Sequence, residues 1–219
     1  MATVLITGAN RGIGLELCHQ FADRGDDVIA VCRSGNKELA QPGIEIVDGI
    51  DVAEDSVVQK LADQLKNRRI DILINNAGIL TSETLDDLDF DRMRKQYEVN
   101  ALGPLRVTKA LLPNLHAGSK LLILTSRVGS VGDNSSGGIY GYRMSKAAAN
   151  MAGMNLAIDL KERGIAVGIL HPGLVATKMT SGAGISTEQS ASGLLKRIDN
   201  LNLDNTGTFW HAEGDILPW

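Results

Sequence analysis

At 219 residues the chain can bury the core of one α/β domain, but not of two domains of ordinary size. Hydrophobic residues at 43% and charged residues at 22% exclude a disordered polymer, and aromatics at only 4% leave the core to aliphatic side chains and alanine. The formal net charge of −4 offers no basic face to nucleic acid or an anionic membrane, and no apolar run approaches the roughly 20 residues that span a bilayer.

The chain runs from Met1 almost directly into an apolar stretch, without the pattern of a signal peptide. Cys18 and Cys32 are therefore expected as free thiols in a reducing, cytoplasmic setting. Thr3–Ile6 is a predicted strand. Gly12–Arg24 has helical spacing, with Ile13, Leu17 and Phe21 on one stripe. Strands are expected at Asp27–Val31 and Glu45–Val47, then a helix over Glu54–Asn67 with Val57, Val58, Leu61 and Leu65 as its apolar face. Lys66, Arg68 and Arg69 at its end read as a solvated C-terminus favoured by the helix dipole. Asp71–Ile74 is a strand, apolar throughout after Asp71, of the kind buried in parallel sheets. A long helical stretch, Phe90–Leu115, is interrupted near Gly103-Pro104. Strand Lys120–Leu124, helix Tyr142–Arg163 and strand Ile165–Leu170 follow. Ser186-Thr-Glu-Gln189 reads as a capping box opening a helix to about Asn200, and Thr208–Trp210 as a seventh strand. Alternating β and α units with right-handed crossovers predict one α/β domain over 1–219, a doubly wound parallel Rossmann sheet of about seven strands covered by helices on both faces.

The first strand ends in Thr7-Gly-Ala-Asn-Arg-Gly-Ile-Gly14, and a helix follows at once. Glycines at 8, 12 and 14 let the backbone turn sharply and approach a pyrophosphate, to which the helix N-terminus offers free N–H groups. The spacing is Gly-x3-Gly-x-Gly rather than GxGxxG, so alone it is a moderate signal beside the reading of a plain glycine turn. The second strand ends in Cys32-Arg33-Ser34, with no carboxylate to accept from a ribose 2′-OH. Arg33, with Arg11, can instead pair with a 2′-phosphate, which favours NADP(H) and leaves NAD(H) possible.

Tyr142-Arg-Met-Ser-Lys146 puts a phenol and an ammonium one helical turn apart. Hydride transfer to a carbonyl makes an alkoxide that needs a proton. A neighbouring ammonium is expected to lower the tyrosine pKa from about 10 towards the working pH. Ser126, at the end of the fifth strand, is placed to polarise the carbonyl. Tyr140 and Ser130 are the rivals for these two positions. Tyr140 lies off the Lys146 face and Ser130 away from the strand end.

Together these features resemble the short-chain dehydrogenase/reductase family over nearly the whole chain. Thr7–Gly14 looks like its TGxxxGxG motif, which implies cofactor contacts from Gly8, Asn10, Arg11, Gly12, Ile13 and Gly14 beside Arg33. Asp51 and Val52 resemble the adenine contact, and Asn75-Asn76-Ala77-Gly78 the segment after the fourth strand. Pro172, Gly173, Val175 and Thr177 match the segment that meets the nicotinamide. Asn100, Ser126, Tyr142 and Lys146 match the catalytic set. The resemblance makes Tyr142 the general acid and has Lys146 tune it and hold the nicotinamide ribose. Ser126 then orients the carbonyl, and Asn100 supports a water-linked proton path.

Within the family, Gly129–Arg143 and Glu213–Trp219 resemble the sniffer and C-factor branch of carbonyl reductases. That resemblance implies NADPH-linked reduction of reactive carbonyls to alcohols, with a bacterial signalling role as the alternative. A sugar-nucleotide epimerase is disfavoured, because the chain has no room for a second substrate domain. Ser126 and Tyr142 are sixteen residues apart, longer than is usual, so the loop around Asn134–Gly138 must fold outward. Only a short segment, Lys178–Ile185, stands where most members carry a helical lid, and Ser181-Gly-Ala-Gly184 predicts that it is flexible over an open, shallow site. The family implies a homodimer or homotetramer through its long helices, onto which Met144, Met151 and Met154 can face; packing is the plainer reading of the three. His171 is expected to pack or to hydrogen-bond on the cofactor side. His19, His116 and His211 show no ligand spacing, so no metal is expected. Trp210 and Trp219 belong either to a subunit contact or to the core edge.

Overall fold

The computed structural model describes residues 1–219. Seven strands form one sheet: β1 (Thr3–Thr7), β2 (Asp27–Val31), β3 (Ile44–Val47), β4 (Ile72–Asn75), β5 (Lys120–Leu124), β6 (Ala166–His171) and β7 (Phe209–His211). All pairings are parallel in the order β3-β2-β1-β4-β5-β6-β7. The order reverses between β1 and β4, and this switch point opens a crevice at the carboxyl ends of the strands.

Alternation along each strand sends its apolar residues to two separate cores. Val4, Ile6, Val28, Ala30, Ile72, Ile74, Leu122 and Leu124 face one side, where α1 (Gly12–Asp23) brings Leu17 and Phe21 and α6 (Thr187–Asn200) brings Leu194 and Ile198. Leu5, Ile29, Val31, Leu73 and Leu121 face the other. There α2 (Asp55–Gln64) brings Leu61, α4 (Gly103–Leu111) brings Val107 and Leu111, and α5 (Tyr140–Lys161) brings Ala157 and Leu160. Each fully buried Val, Leu, Ile or Phe among them stabilises the fold by about 1.5–3 kcal/mol, and the sheet is fixed from both faces.

Three elements differ from expectation. The helix expected over 54–67 stops at Gln64, and Asn67 turns left-handed (φ 68°), which ends the run early. The stretch 90–115 breaks at Glu98–Leu102, ahead of Gly103-Pro104: α3 (Phe90–Tyr97) runs into a π-turn before α4. Pro104 sits in the first turn of α4, directly after the π-turn. Helix α5 begins at Tyr140, so Tyr140 occupies its first turn and Tyr142 lies inside it. At α6, Ser186 Oγ accepts from Gln189 N at 3.0 Å, the Ser186 half of the expected box. A reciprocal box forms at Thr177 and Thr180 instead.

Both cysteines are buried and unpaired. Trp219 stacks on Phe209, with ring centres 5.4 Å apart, which places it at the core edge. No helix is long and apolar enough to cross a membrane.

Candidate active site

A cleft of about 1340 Å³ runs along the carboxyl ends of the strands. Its first part is the turn from β1 to α1. Gly8 and Gly12 adopt φ of +65° and +56°, and a Cβ on Gly8 would lie 2.8 Å from Ala77 Cα. One on Gly14 would fall on the Gly8 carbonyl oxygen and Asn76 Nδ2, inside contact distance. Only glycine lets these backbones pack so closely.

The loop after β4 clamps that turn. Thr7 Oγ1 accepts from the amides of Asn76 and Ala77, both at 3.1 Å, and Asn76 Nδ2 donates to the carbonyls of Thr7 (2.9 Å) and Gly8 (3.1 Å). Arg11 precedes α1 in extended conformation, no side chain caps the helix, and its first turn has no acidic residue. The first N–H groups of α1 thus face the cleft with their partial positive charge uncompensated, which suits a phosphate.

Asn10, Arg11, Gly12, Ile13, Arg33, Asp51, Val52, Asn76, Ala77 and Gly78 all line this part of the cleft. Arg33 Nη1 lies 3.8 Å from Asp51 Oδ2, with the Arg33 side chain 60% exposed. So exposed a pair is worth at most about 1 kcal/mol, too little to hold the guanidinium from a phosphate. Asn10 Nδ2 donates to the Ser34 carbonyl (2.8 Å), and Asn36 Nδ2 donates to the Asn10 carbonyl (2.5 Å). Asn36 was not singled out by the sequence, because nothing in its local pattern separates it from an ordinary loop asparagine.

The second part of the cleft holds the ionisable groups. Ser126 caps a short 3-10 turn, Arg127–Gly129; its Oγ accepts from Val128 N at 3.3 Å, which leaves its O–H free to donate. Tyr142 and Lys146 project from one face of α5 towards it. Lys146 is buried, and its Nζ donates to the Leu124 carbonyl at 2.9 Å and sits 5.7 Å from the centre of the Tyr142 ring. Burial pushes the Tyr142 phenol up to about 12, with the Ser126 hydroxyl beside it acting the other way. Burial likewise draws Lys146 down to about 8. The expected lowering of the tyrosine by its ammonium neighbour is not found in the free protein, where burial dominates and only the Ser126 hydroxyl opposes it. The phenol is neutral and holds its proton at working pH.

Asn100 stands on the π-turn, behind the cleft wall. Its Nδ2 donates to the Ile79 carbonyl (2.8 Å) and Ser145 Oγ (3.0 Å), and its Oδ1 accepts from Ile79 N (2.9 Å). A Cβ on Gly78 would lie 3.3 Å from Asn100 Oδ1 and 3.6 Å from Lys146 Nζ, so the glycine keeps the space between them open. The π-turn is what swings Asn100 inward, and such bulges recur at functional sites.

Pro172, Gly173, Val175 and Thr177 line the cleft after β6, with Thr177 against the first turn, its Cγ2 3.3 Å from where a Cβ on Gly12 would lie. The short segment after Thr177 is tied at its two ends. Ala176 N donates to the Ile185 carbonyl (2.8 Å), Ile185 N donates to the Leu174 carbonyl (2.9 Å), and the Thr177–Thr180 box closes the turn between them. Glycines 182 and 184 serve its tight left-handed bends. His171 packs edge-on against His211, ring centres 5.0 Å apart, with Nδ1 buried and unpartnered; burial, then His211, draws its pKa down to about 4. The fold also brings His211, Glu213 and Asp215 together, with ligand-type atoms within 4.8 Å of one another, a grouping invisible as histidine spacing.

The short chain dehydrogenase family profile matches residues 2–187. The chain is 45% identical to 1-hydroxy-2-glutathionyl-2-methyl-3-butene dehydrogenase of Rhodococcus sp. (strain AD45), with 100% of both chains covered. It is 44% identical to C-signal of Myxococcus xanthus over 68% of this chain and 93% of that one. The NADPH-bound carbonyl reductase from chicken fatty liver superposes with a TM-score of 0.92 at 30% identity, covering 100% of this chain and 99% of that one. Carbonyl reductase Sniffer of D. melanogaster does so with a TM-score of 0.92 at 29% identity, covering 100% of both. The chain belongs to the short-chain dehydrogenase/reductase family of oxidoreductases.

Proposed function

We propose that this protein is an NADP(H)-dependent carbonyl reductase in which Tyr142 is the general acid. The observation that carries the reading is the convergence of Ser126, Tyr142 and Lys146 at one end of the cleft whose other end is the anion-receptive turn of α1. In this reading the cofactor cleft, the catalytic groups and the short loop near 178–185 all belong to one domain. The cytoplasm is its setting, and a homodimer or homotetramer, its subunits meeting on the exposed Met144, Met151 and Ile158 of α5, is its assembly.

The residues fit the cofactor. Gly8, Gly12 and Gly14 leave backbone amides accessible to a pyrophosphate, and Arg33 with Arg11 supports a 2′-phosphate. Asp51 and Val52 face the adenine end; Pro172, Gly173, Val175 and Thr177 face the nicotinamide end. When bound, the nicotinamide supplies the hydride. Ser126 O–H donates to the substrate carbonyl oxygen and polarises it. Tyr142 O–H gives its proton to that oxygen as the alkoxide forms. An alkoxide is far more basic than a phenolate, so a phenol raised by burial still transfers its proton downhill. Lys146 stabilises the phenolate left behind, and Asn100 keeps the route from Lys146 towards Ile79 polar for proton return.

A second reading uses the same residues in reverse, to oxidise an alcohol with Tyr142 as base. The 45% identity with a dehydrogenase of a glutathionyl alcohol supports it. Similarity to C-signal supports a signalling role by a cofactor-binding protein without deciding between that and chemistry.

The test is NADPH consumption with a reactive quinone or dicarbonyl, and NADP reduction with the matching alcohols, wild type beside Tyr142→Phe. Turnover that the variant lacks supports the enzyme. Tight NADPH binding with no turnover in either direction overturns it in favour of signalling.

A further inference from the structure

The long interval between Ser126 and Tyr142 folds into a wall of the cleft's catalytic end. Asp133, Ser136 and Ile139 of this loop line the cleft beside Val128 and Tyr142. The loop returns to α5 through three successive left-handed residues, Gly137 (φ 63°), Gly138 (φ 67°) and Ile139 (φ 40°). Glycines adopt this freely, but a β-branched residue does not. Ile139 is also the N-cap of α5 and has no side-chain acceptor to offer the helix. Strain of this kind persists only where the surroundings over-determine it.

The Arg127–Asp133 ion pair, the Gly132 N–H on the Trp219 carbonyl (2.8 Å) and the Gly137 N–H on Asn134 Oδ1 (3.1 Å) tie parts of the loop, and Arg143 ties its two ends together. Its Nε donates to the Gly137 carbonyl (3.0 Å), Nη2 to Ser136 Oγ (2.8 Å) and Nη1 to the Val128 carbonyl (3.2 Å). The guanidinium therefore bridges the two ends of the loop, from the turn after Ser126 to the turn before Tyr142. All three acceptors are neutral. A planar fork with diverging donors suits this bridging; an ammonium on a flexible stem reaches one acceptor at a time.

We propose that Arg143 is a positioning residue that braces the Ser130–Ile139 loop, and that it thereby sets Ile139 as the wall selecting which substrates reach Tyr142. This rests on the reductase reading of the site. Arg143 adjoins Tyr142 and itself lines the cleft, but all three of its side-chain hydrogen bonds go to the loop and its root.

The test compares wild type, Arg143→Met, Arg143→Lys and Ile139→Ala by amide hydrogen exchange and by the ratio of kcat/KM for a bulky and a small carbonyl. Thermal midpoint and NADPH affinity report separately on the fold. In Arg143→Met and Arg143→Lys, the amides of 132–139 lose protection and the ratio moves by about tenfold, within the range a pocket contact supplies. Ile139→Ala moves the ratio while loop protection stays. Rescue by lysine, or loop protection and ratio unchanged in Arg143→Met, overturns the proposal. If wild type turns over no carbonyl, the reductase reading fails while the exchange measurement still decides the brace. If Arg143→Met does not fold, Ser136→Ala removes one arm of the brace, and unchanged exchange at Gly137 then counts against it.

Discussion

Lys146 lies one helical turn beyond Tyr142, and its ammonium nitrogen stands 5.7 Å from the centre of the tyrosine ring. It is close enough to act on a phenolate but is held elsewhere, on the Leu124 carbonyl. Burial moves the two groups in opposite directions, Tyr142 to about 12 and Lys146 to about 8, because it disfavours the charged form of each. Between those values both are neutral; below about 8 the pair is phenol with ammonium.

This predicts the pH dependence of reduction. As pH rises through about 8, Lys146 loses the charge that stabilises a phenolate, and kcat/KM falls. Tyr142→Phe lowers kcat about 10²–10⁴-fold, the usual worth of a positioned general acid. Ser126→Ala lowers it about 10²–10³-fold, as for loss of one donor to a developing oxyanion. A pH–rate profile on the wild type and steady-state kinetics on the variants check all three.

Gly14→Ala tests the packing of the first turn. The added methyl would press on the Gly8 carbonyl and Asn76 Nδ2, so the clamp of Asn76 on β1 must open. The expected loss is about 1–3 kcal/mol of stability, read by chemical unfolding, with weaker NADPH binding alongside.

Arg33→Ser tests cofactor choice. If Arg33 pairs with a 2′-phosphate, NADPH affinity falls about 10–100-fold while NADH affinity changes little, as for loss of hydrogen bonds to a charged group. An equal change for both cofactors would remove the basis for the NADP(H) preference. Cofactor fluorescence titration distinguishes the two.

His171 makes the fold sensitive to acid. Its folded pKa is drawn from 6.5 to about 4, so between those values the unfolded chain binds a proton that the folded chain refuses. Stability is therefore lost as pH falls across that window, by up to about 3 kcal/mol. His171→Gln removes this share. Urea unfolding of both proteins at about pH 7 and about pH 4.5 measures it.

The exposed apolar row on α5 tests the assembly. Met151 and Ile158 are 63% and 62% exposed, a surface that an ordinary solvated helix face does not carry. Ile158→Asp is expected to reduce the particle mass to that of one chain, read by light scattering. A wild type that already runs as one chain removes the dimer.

The order of strands and helices, the glycine turn, Arg33 and the Tyr142–Lys146 pair are all legible in the sequence. They rest on local rules: apolar period, glycine spacing and residues one helical turn apart. Ser126 is picked out by its place at a strand end, whereas the match of Asn100 and the segment at 172–177 comes through the family resemblance. What the tertiary structure alone decided depends on contacts between distant segments. Asn76 clamps Thr7 and Gly8 because β4 lies beside β1, a neighbour that local periodicity does not name. The Asn100 bonds to Ile79 and Ser145 and the brace of Arg143 on Val128 each need partners more than a few turns away along the chain. The ionisation of Tyr142 was misread for the same reason. The spacing of two residues suggests a charge effect between them, but only the packed surroundings give the desolvation that dominates Tyr142.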